Sequence, residues 1–203
     1  MMETVMDVIH FDQINTSHDV IADIEAYWND MRGLGGLPNR ATFDPARLDV
    51  ALPYSFILER VTKGAARFRV SGQKVNEMML METRGMPLSC FFHNDSRAEL
   101  AQIINDCFDG PAIKRLTLFA NRGPAAKIHG KMILLPLAGH NGLPTRVMGA
   151  MITDTPPYVR SPKFHIADHR AQTVDRVVWT NDAPIKTKGP AQRPALRLII
   201  NNS

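Results

Sequence analysis

Three sets of side chains in this chain are of types that could do chemistry. Cys90-x2-His93 could pair a thiol with a base, as a cysteine nucleophile requires. Such a nucleophile also needs an orienting group and an oxyanion donor. Asp95 and Asn94 lie close by, but a buried Cys following Pro87-Leu88 is more often packing. His165-Ile166-Ala167-Asp168-His169 would put two imidazoles on one face of a helix, a spacing that can hold a metal. The Glu that zinc proteases carry after the first His is absent, and no third ligand is evident. Two surface histidines on a basic helix explain the pair, and no metal site is expected. His129, between Lys127 and Lys131, reads as the wet face of a strand.

The fourth set is apolar. Met78, Met79, Met81 and Met86 cluster within nine residues. Methionine is flexible and polarizable, so it fills irregular gaps and lines adaptable pockets. A core filler and a ligand pocket are both open. A pocket would lie between residues 73–92 and a sheet, lined by Phe68, Met78, Met79, Phe92, Leu118 and Met132. No cofactor can be named; residues 73–89 hold no histidine to serve as a haem ligand.

The elements that must position these groups follow from periodicity. Val20, Ile21, Ile24, Tyr27, Trp28 and Met31 recur at helical spacing, after a start signal at Thr16-Ser17-x-Asp19. Glycines at 33, 35 and 36 end this amphipathic helix. Tyr27 and Trp28 read either as core aromatics or as interface anchors; because other helices already cover the sheet and aromatics are enriched in interfaces, Ile24, Tyr27, Trp28 and Met31 are expected to form a homodimer contact. Asp44-Pro45 opens a short helix over 45–50. Residues 56–61 and 65–71 flank Thr62-Lys63-Gly64 as a hairpin. Residues 73–92, broken by Gly85 and Pro87, read as short helical turns. Asp95-Ser96 caps a helix striped by Leu100, Ile103, Ile104, Cys107 and Phe108. Strands follow over about 113–120, 127–137 and 146–153. The expected fold is α+β: a five-stranded antiparallel sheet with helices on one face. The helical stripe precedes it, and a basic, Pro-containing extension over 156–203 follows, with a helix over 165–180 and a tail whose Leu196 to Ile200 could pair at an edge.

Composition bounds the rest. A chain of 203 residues fits one domain, 19–155, between an N-terminal segment 1–18 and the extension. Two cysteines without an export pattern read as free thiols. Glu3, Asp7 and Asp12 without early Lys or Arg are not a secretory signal, so a cytoplasmic location is expected. No apolar run approaches the roughly 20 residues that span a bilayer. Residues 1–60 hold 4 basic and 10 acidic side chains, whereas 156–203 hold 8 and 3. The basic groups of the extension are dispersed, and no recognition helix or zinc finger appears, so nucleic acid is not the expected partner.

Eight fragments in order resemble a PAS domain, in particular the PAS proteins that are common in alphaproteobacteria as short, mostly single-domain chains. They are Tyr27-Trp28…Arg32, Pro38-x-Arg40, Asp44-Pro45, Leu52-Pro53, Leu58-Glu59, Arg67-Phe68-Arg69-x-x-Gly72, Arg84-Gly85-Met86-Pro87-Leu88 and Leu134-Leu135-Pro136-Leu137. The resemblance covers about residues 19–153. It departs at Leu80, where a small residue is expected; a leucine there would tighten the space between small helices and sheet. The resemblance implies a non-catalytic sensory or protein-interaction module in bacterial signalling, with a homodimer, a protein partner and a small-molecule ligand in view. A small cysteine-dependent enzyme using Cys90 and His93, or an adaptor with no ligand, stay as alternatives.

Overall fold

The computed structural model describes residues 19–32, 36–122, 126–154, 160–174, 178–180 and 183–185. The start signal at Thr16-Ser17 and the edge pairing of Leu196 to Ile200 fall outside the described residues.

Six strands form one antiparallel sheet: β1 (Ser55–Thr62), β2 (Ala65–Ser71), β3 (Ala112–Asn121), β4 (Lys127–Ala138), β5 (Pro144–Thr153) and β6 (His165–Thr173). Their order across the sheet is β2-β1-β5-β4-β3-β6. Two further short strands, β7 (Val178–Thr180) and β8 (Ala183–Ile185), pair with each other. The β1–β2 hairpin turns at Gly64, whose φ of 74° a side chain would disfavour. Its N–H donates to Asn105 Oδ1 at 2.7 Å.

Alternation along the strands sends two sets of apolar side chains to opposite faces. One face carries Phe56, Leu58, Phe68, Leu116, Leu118, Leu134, Val147 and Met151. Across it lie α2 (Gln73–Met79), 3-10 turns at 88–91 and 94–96, and α3 (Arg97–Phe108). This inner face matches the expected arrangement. The predicted cap differs: the Ser96 hydroxyl does not cap α3 and instead accepts the Ile166 N–H at 3.2 Å.

The outer face carries Ile113, Ile133, Leu135, Met148, Ala150 and Ile152. α1 (Val20–Arg32) and the 3-10 segment Pro45–Tyr54 cover part of it. Helices therefore lie on both faces. Asp19 caps α1, its Oδ1 accepting the N–H groups of Ile21 and Ala22. Val20, Ile24, Tyr27 and Trp28 point at the sheet and are buried, Trp28 completely. This corrects the interface expectation for Ile24, Tyr27, Trp28 and Met31, because the sheet has a second face that needed a cover. Met31, half-buried, packs beside the same cluster. The homodimer expected from that stripe loses the surface on which it rested. Arg32 stacks 5.3 Å from the Trp28 ring and donates to the Gly36 carbonyl at 2.8 Å.

The helix expected over 165–180 is also corrected, because residues 165–173 form β6 against β3. Most of its side chains are exposed, so no apolar alternation announces it. The open edge of β3 supplies the hydrogen bonds that its sequence pattern does not advertise.

Leu80 does not narrow the inner space either. It ends α2 in the left-handed conformation, φ 56° and ψ 27°, and its side chain is 51% exposed. A left-handed non-glycine residue costs about 1–2 kcal/mol, against the 0.5–1 kcal/mol that glycine loses in chain entropy. Leu80→Gly is expected to stabilise the domain by up to about 1 kcal/mol. A thermal melt should shift upward by a few degrees; an unchanged or lowered midpoint would contradict the strain.

Candidate functional site

Phe68, Met78, Met79, Phe92, Leu118 and Met132 do come together, as one inner-face cluster in which each is at most 3% exposed. Phe68 meets Phe56 edge-on at 5.4 Å and lies 5.3 Å from Phe91. Leu88, Leu100 and Ile103 are buried with them. These side chains form close-packed core. Met78 and Met79 act as fillers, and Ser161 Oγ lies 3.2 Å from Met79 Sδ. The turn after α2 is held by a buried polar knot: the Thr83 hydroxyl is 2.8 Å from Ser71 Oγ and 2.9 Å from Asn76 Oδ1.

A groove of about 960 Å³ lies on the outer face instead. Its lining includes Ile57 of β1, Val70 of β2 and Met148 of β5. The segment 40–53 contributes Phe43, Pro45, Leu52 and Pro53, and the β4–β5 hairpin contributes His140, Thr145 and Arg146. α1 and the 3-10 segment cover the middle of this face, so the β1–β2 end retains its concavity and an exposed Val70.

The charged groups of the groove are cationic. Arg40, Arg69 and Arg146 line it. Glu59 accepts contacts from Arg146 at 2.8 Å, Arg67 at 3.0 Å and Arg69 at 3.5 Å. The Arg67 hydrogen bond, and then the charges of Arg146 and Arg69, hold the Glu59 carboxyl below its ordinary range against the opposing effect of desolvation. One carboxylate thus faces three guanidinium groups, leaving a surplus of positive charge. The Arg40 guanidinium has no hydrogen bond or ion pair among the described residues. Arg40 and Arg69 stand in the sequence fragments that resemble a PAS domain, whereas no sequence signal places Arg146 with them. The pairing of β1 with β5, which sets Glu59 opposite Arg146, joins residues far apart in the chain.

The residues first considered for chemistry are dispersed or engaged. Both cysteines are free thiols. Burial pushes the Cys107 thiol up to about 12, which keeps it protonated and unreactive. Cys90 packs against the inner core, and His93 turns to Asp95, with Nδ1 3.1 Å from Oδ2. His169 faces Glu99 at 3.0 Å. On a strand, His165 and His169 are separated by about 13 Å of backbone, too far to share one ion.

An antiparallel sheet with small helices across one face and a flanking helix on the other defines an α+β domain built on a single sheet. A family model described as a PAS domain matches residues 16–152, and the chain belongs to the PAS domain family. No curated protein and no solved structure matches the chain. PAS domains are generally non-catalytic; they commonly bind small ligands, mediate protein interactions and dimerise. No helix among the described residues is long and apolar enough to cross a membrane.

Proposed function

We propose that this PAS domain is a sensory module of cytoplasmic bacterial signalling whose recognition site is the outer groove, and that it takes a small anionic molecule with an apolar body. The observation that carries this reading is the unpartnered Arg40 beside an apolar floor of Ile57 and Met148. Ligand sites typically combine a concave apolar lining with a few fixed polar groups, at volumes of roughly 300–1,000 Å³. The side chains between the sheet and residues 73–92 are buried against one another, which favours the outer face as the site open to a ligand. A ligand seated there touches β1, β2, the 40–53 segment and the β4–β5 hairpin together. It would transmit a signal only by binding two packings of these elements with different affinity.

Decanoate is a suitable probe, with decanol as its neutral counterpart. In methyl-labelled protein, decanoate should shift the signals of Ile57 and Met148, and decanol should do so more weakly. Arg40→Gln should weaken decanoate binding about tenfold, the loss of one charge-assisted hydrogen bond, and leave the melting temperature within about 1 °C, because surface substitutions away from partners are near neutral. Shifts confined to Met78, Met79 and Met132 would return the site to the inner face. Absence of any shift would favour an adaptor without a ligand.

A further inference from the structure

His93, Asp95 and His165 lie outside the groove, and the domain's known character gives them no task. They come from two distant segments, the turn before α3 and the first residue of β6. Each offers an atom that can ligate a cation, and these atoms all lie within 4.8 Å of one another. We propose that they form a binding site for a divalent first-row transition ion, zinc being the probe, that clips β6 to the body of the domain.

The core brings the two backbones that carry these side chains together. Phe92 and Phe164 are fully buried and form a parallel bridge. The His93 N–H donates to the Phe164 carbonyl at 2.8 Å, and the Phe164 N–H donates to the Phe91 carbonyl at 2.8 Å. The Ile166 N–H donates to Ser96 Oγ. These bonds fix the two backbones side by side on either flank of the cluster. The His165 ring also stacks on Phe119, with centroids 4.9 Å apart, and on His93 at 4.5 Å.

The donor set suits the ion. Two imidazole nitrogens and one carboxylate oxygen match a borderline cation such as zinc, held at about 2.0–2.2 Å from each. Ligands around a tetrahedral centre are then roughly 3.3–3.5 Å apart. The His93–Asp95 pair, at 3.1 Å, is a few tenths of an ångström inside that separation. His165, whose ligand atom lies within 4.8 Å of the other two, would reach that separation by turning its ring out of the stack on His93 and Phe119. Three protein ligands leave a fourth position for water or a group from a partner. Asp95 is the anion of the site. Two neighbouring lysines are engaged: Lys163 donates to the Cys90 carbonyl, and Lys127 sits 5.3 Å from the centroid of Phe119, on which His165 stacks.

His165 lies beyond residues 16–152, the span that matches the family. An ion bound here would make the docking of the extension depend on metal. The reading is independent of the groove, with which it shares no residue.

The test uses the full chain, stripped with a chelator and titrated with zinc against a chromophoric competitor at neutral pH. One equivalent is expected to bind. His165→Gln and Asp95→Asn should each weaken that site at least tenfold, while His169→Gln leaves it unchanged. Zinc should raise the melting temperature of the native chain and of His169→Gln, and should not raise that of His165→Gln. Asp95 is exposed, so Asp95→Asn keeps the test decisive should His165→Gln loosen β6. Equal zinc affinity in the native chain and both ligand variants would overturn the proposal. So would failure to compete with a weak chelator.

Discussion

Replacing Gly72 by alanine is expected to destabilise the domain by about 3 kcal/mol, at the upper end of overpacking costs. The sign is diagnostic. Gly72 has φ −70° and ψ 162°, which any residue adopts. At such a position alanine ordinarily stabilises by about 0.4–1 kcal/mol, because it narrows the unfolded ensemble. Here a Cβ would lie 2.2 Å from the Pro53 carbonyl oxygen and 2.5 Å from that of Leu52. Both obstacles are backbone and cannot rotate away. The same approach lets the Gly72 N–H donate to the Ser55 carbonyl at 2.8 Å. Relief would require moving the 3-10 segment off the sheet and with it one wall of the groove. A denaturant melt should therefore show a large loss, and decanoate affinity should fall with it. Gly110→Ala supplies the control, since nothing lies within 4 Å of its added carbon. A gain in stability for Gly72→Ala would mean that the close approach does not exist.

That glycine shows what could be read from the residues and what could not. Leu52-Pro53 and the Gly72 that ends β2 are separate marks along the chain, and their order pointed to a PAS domain. Their meaning is mutual contact, which spacing does not reveal. Helices and hairpins were legible because their periodicities are local: α1, α3, the β1–β2 hairpin and β3 to β5 lie close to their expected bounds. The six residues of the inner cluster were legible as neighbours, because alternation places Phe68, Leu118 and Met132 on one face. Whether they enclose a cavity depends on the volumes of residues packed from elsewhere, and Leu88, Leu100 and Ile103 are buried in the same cluster. β6 was illegible because its side chains are mostly exposed and its stability comes from the edge of β3. The cationic groove was half legible: Arg40 and Arg69 stood in the recognisable fragments, but only tertiary pairing brings Arg146 to them.

Trp28→Ala is expected to cost about 4 kcal/mol, in the range for a fully buried tryptophan, and to lower the melting temperature by about 10 °C for a chain of this size. The residue joins two other distant marks. Its indole N–H donates to the Pro136 carbonyl at 2.9 Å, across the outer face. Pairing of β3 with β4 ends at Lys114 and Leu134, so Pro136 lies beyond the last rung. A proline is tolerated there because it has no N–H to leave unsatisfied. Its carbonyl still needs a donor, and Trp28 supplies it. Tyr27, the preceding residue, holds the opposite side of α1: its hydroxyl donates to the Asp44 carbonyl at 3.1 Å and accepts the Asp44 N–H at 2.7 Å. The two aromatics thus fasten α1 to β4 and to the 3-10 segment at once. Trp28→Phe separates packing from bonding. It retains most of the apolar surface and orphans the Pro136 carbonyl, for an expected cost of about 1–3 kcal/mol. Both variants should be measured by denaturant melts together with sedimentation. Losses of these sizes with an unchanged oligomeric state are the signature of a core residue. Near-native stability of Trp28→Ala combined with altered self-association would instead restore this helix to a contact between copies.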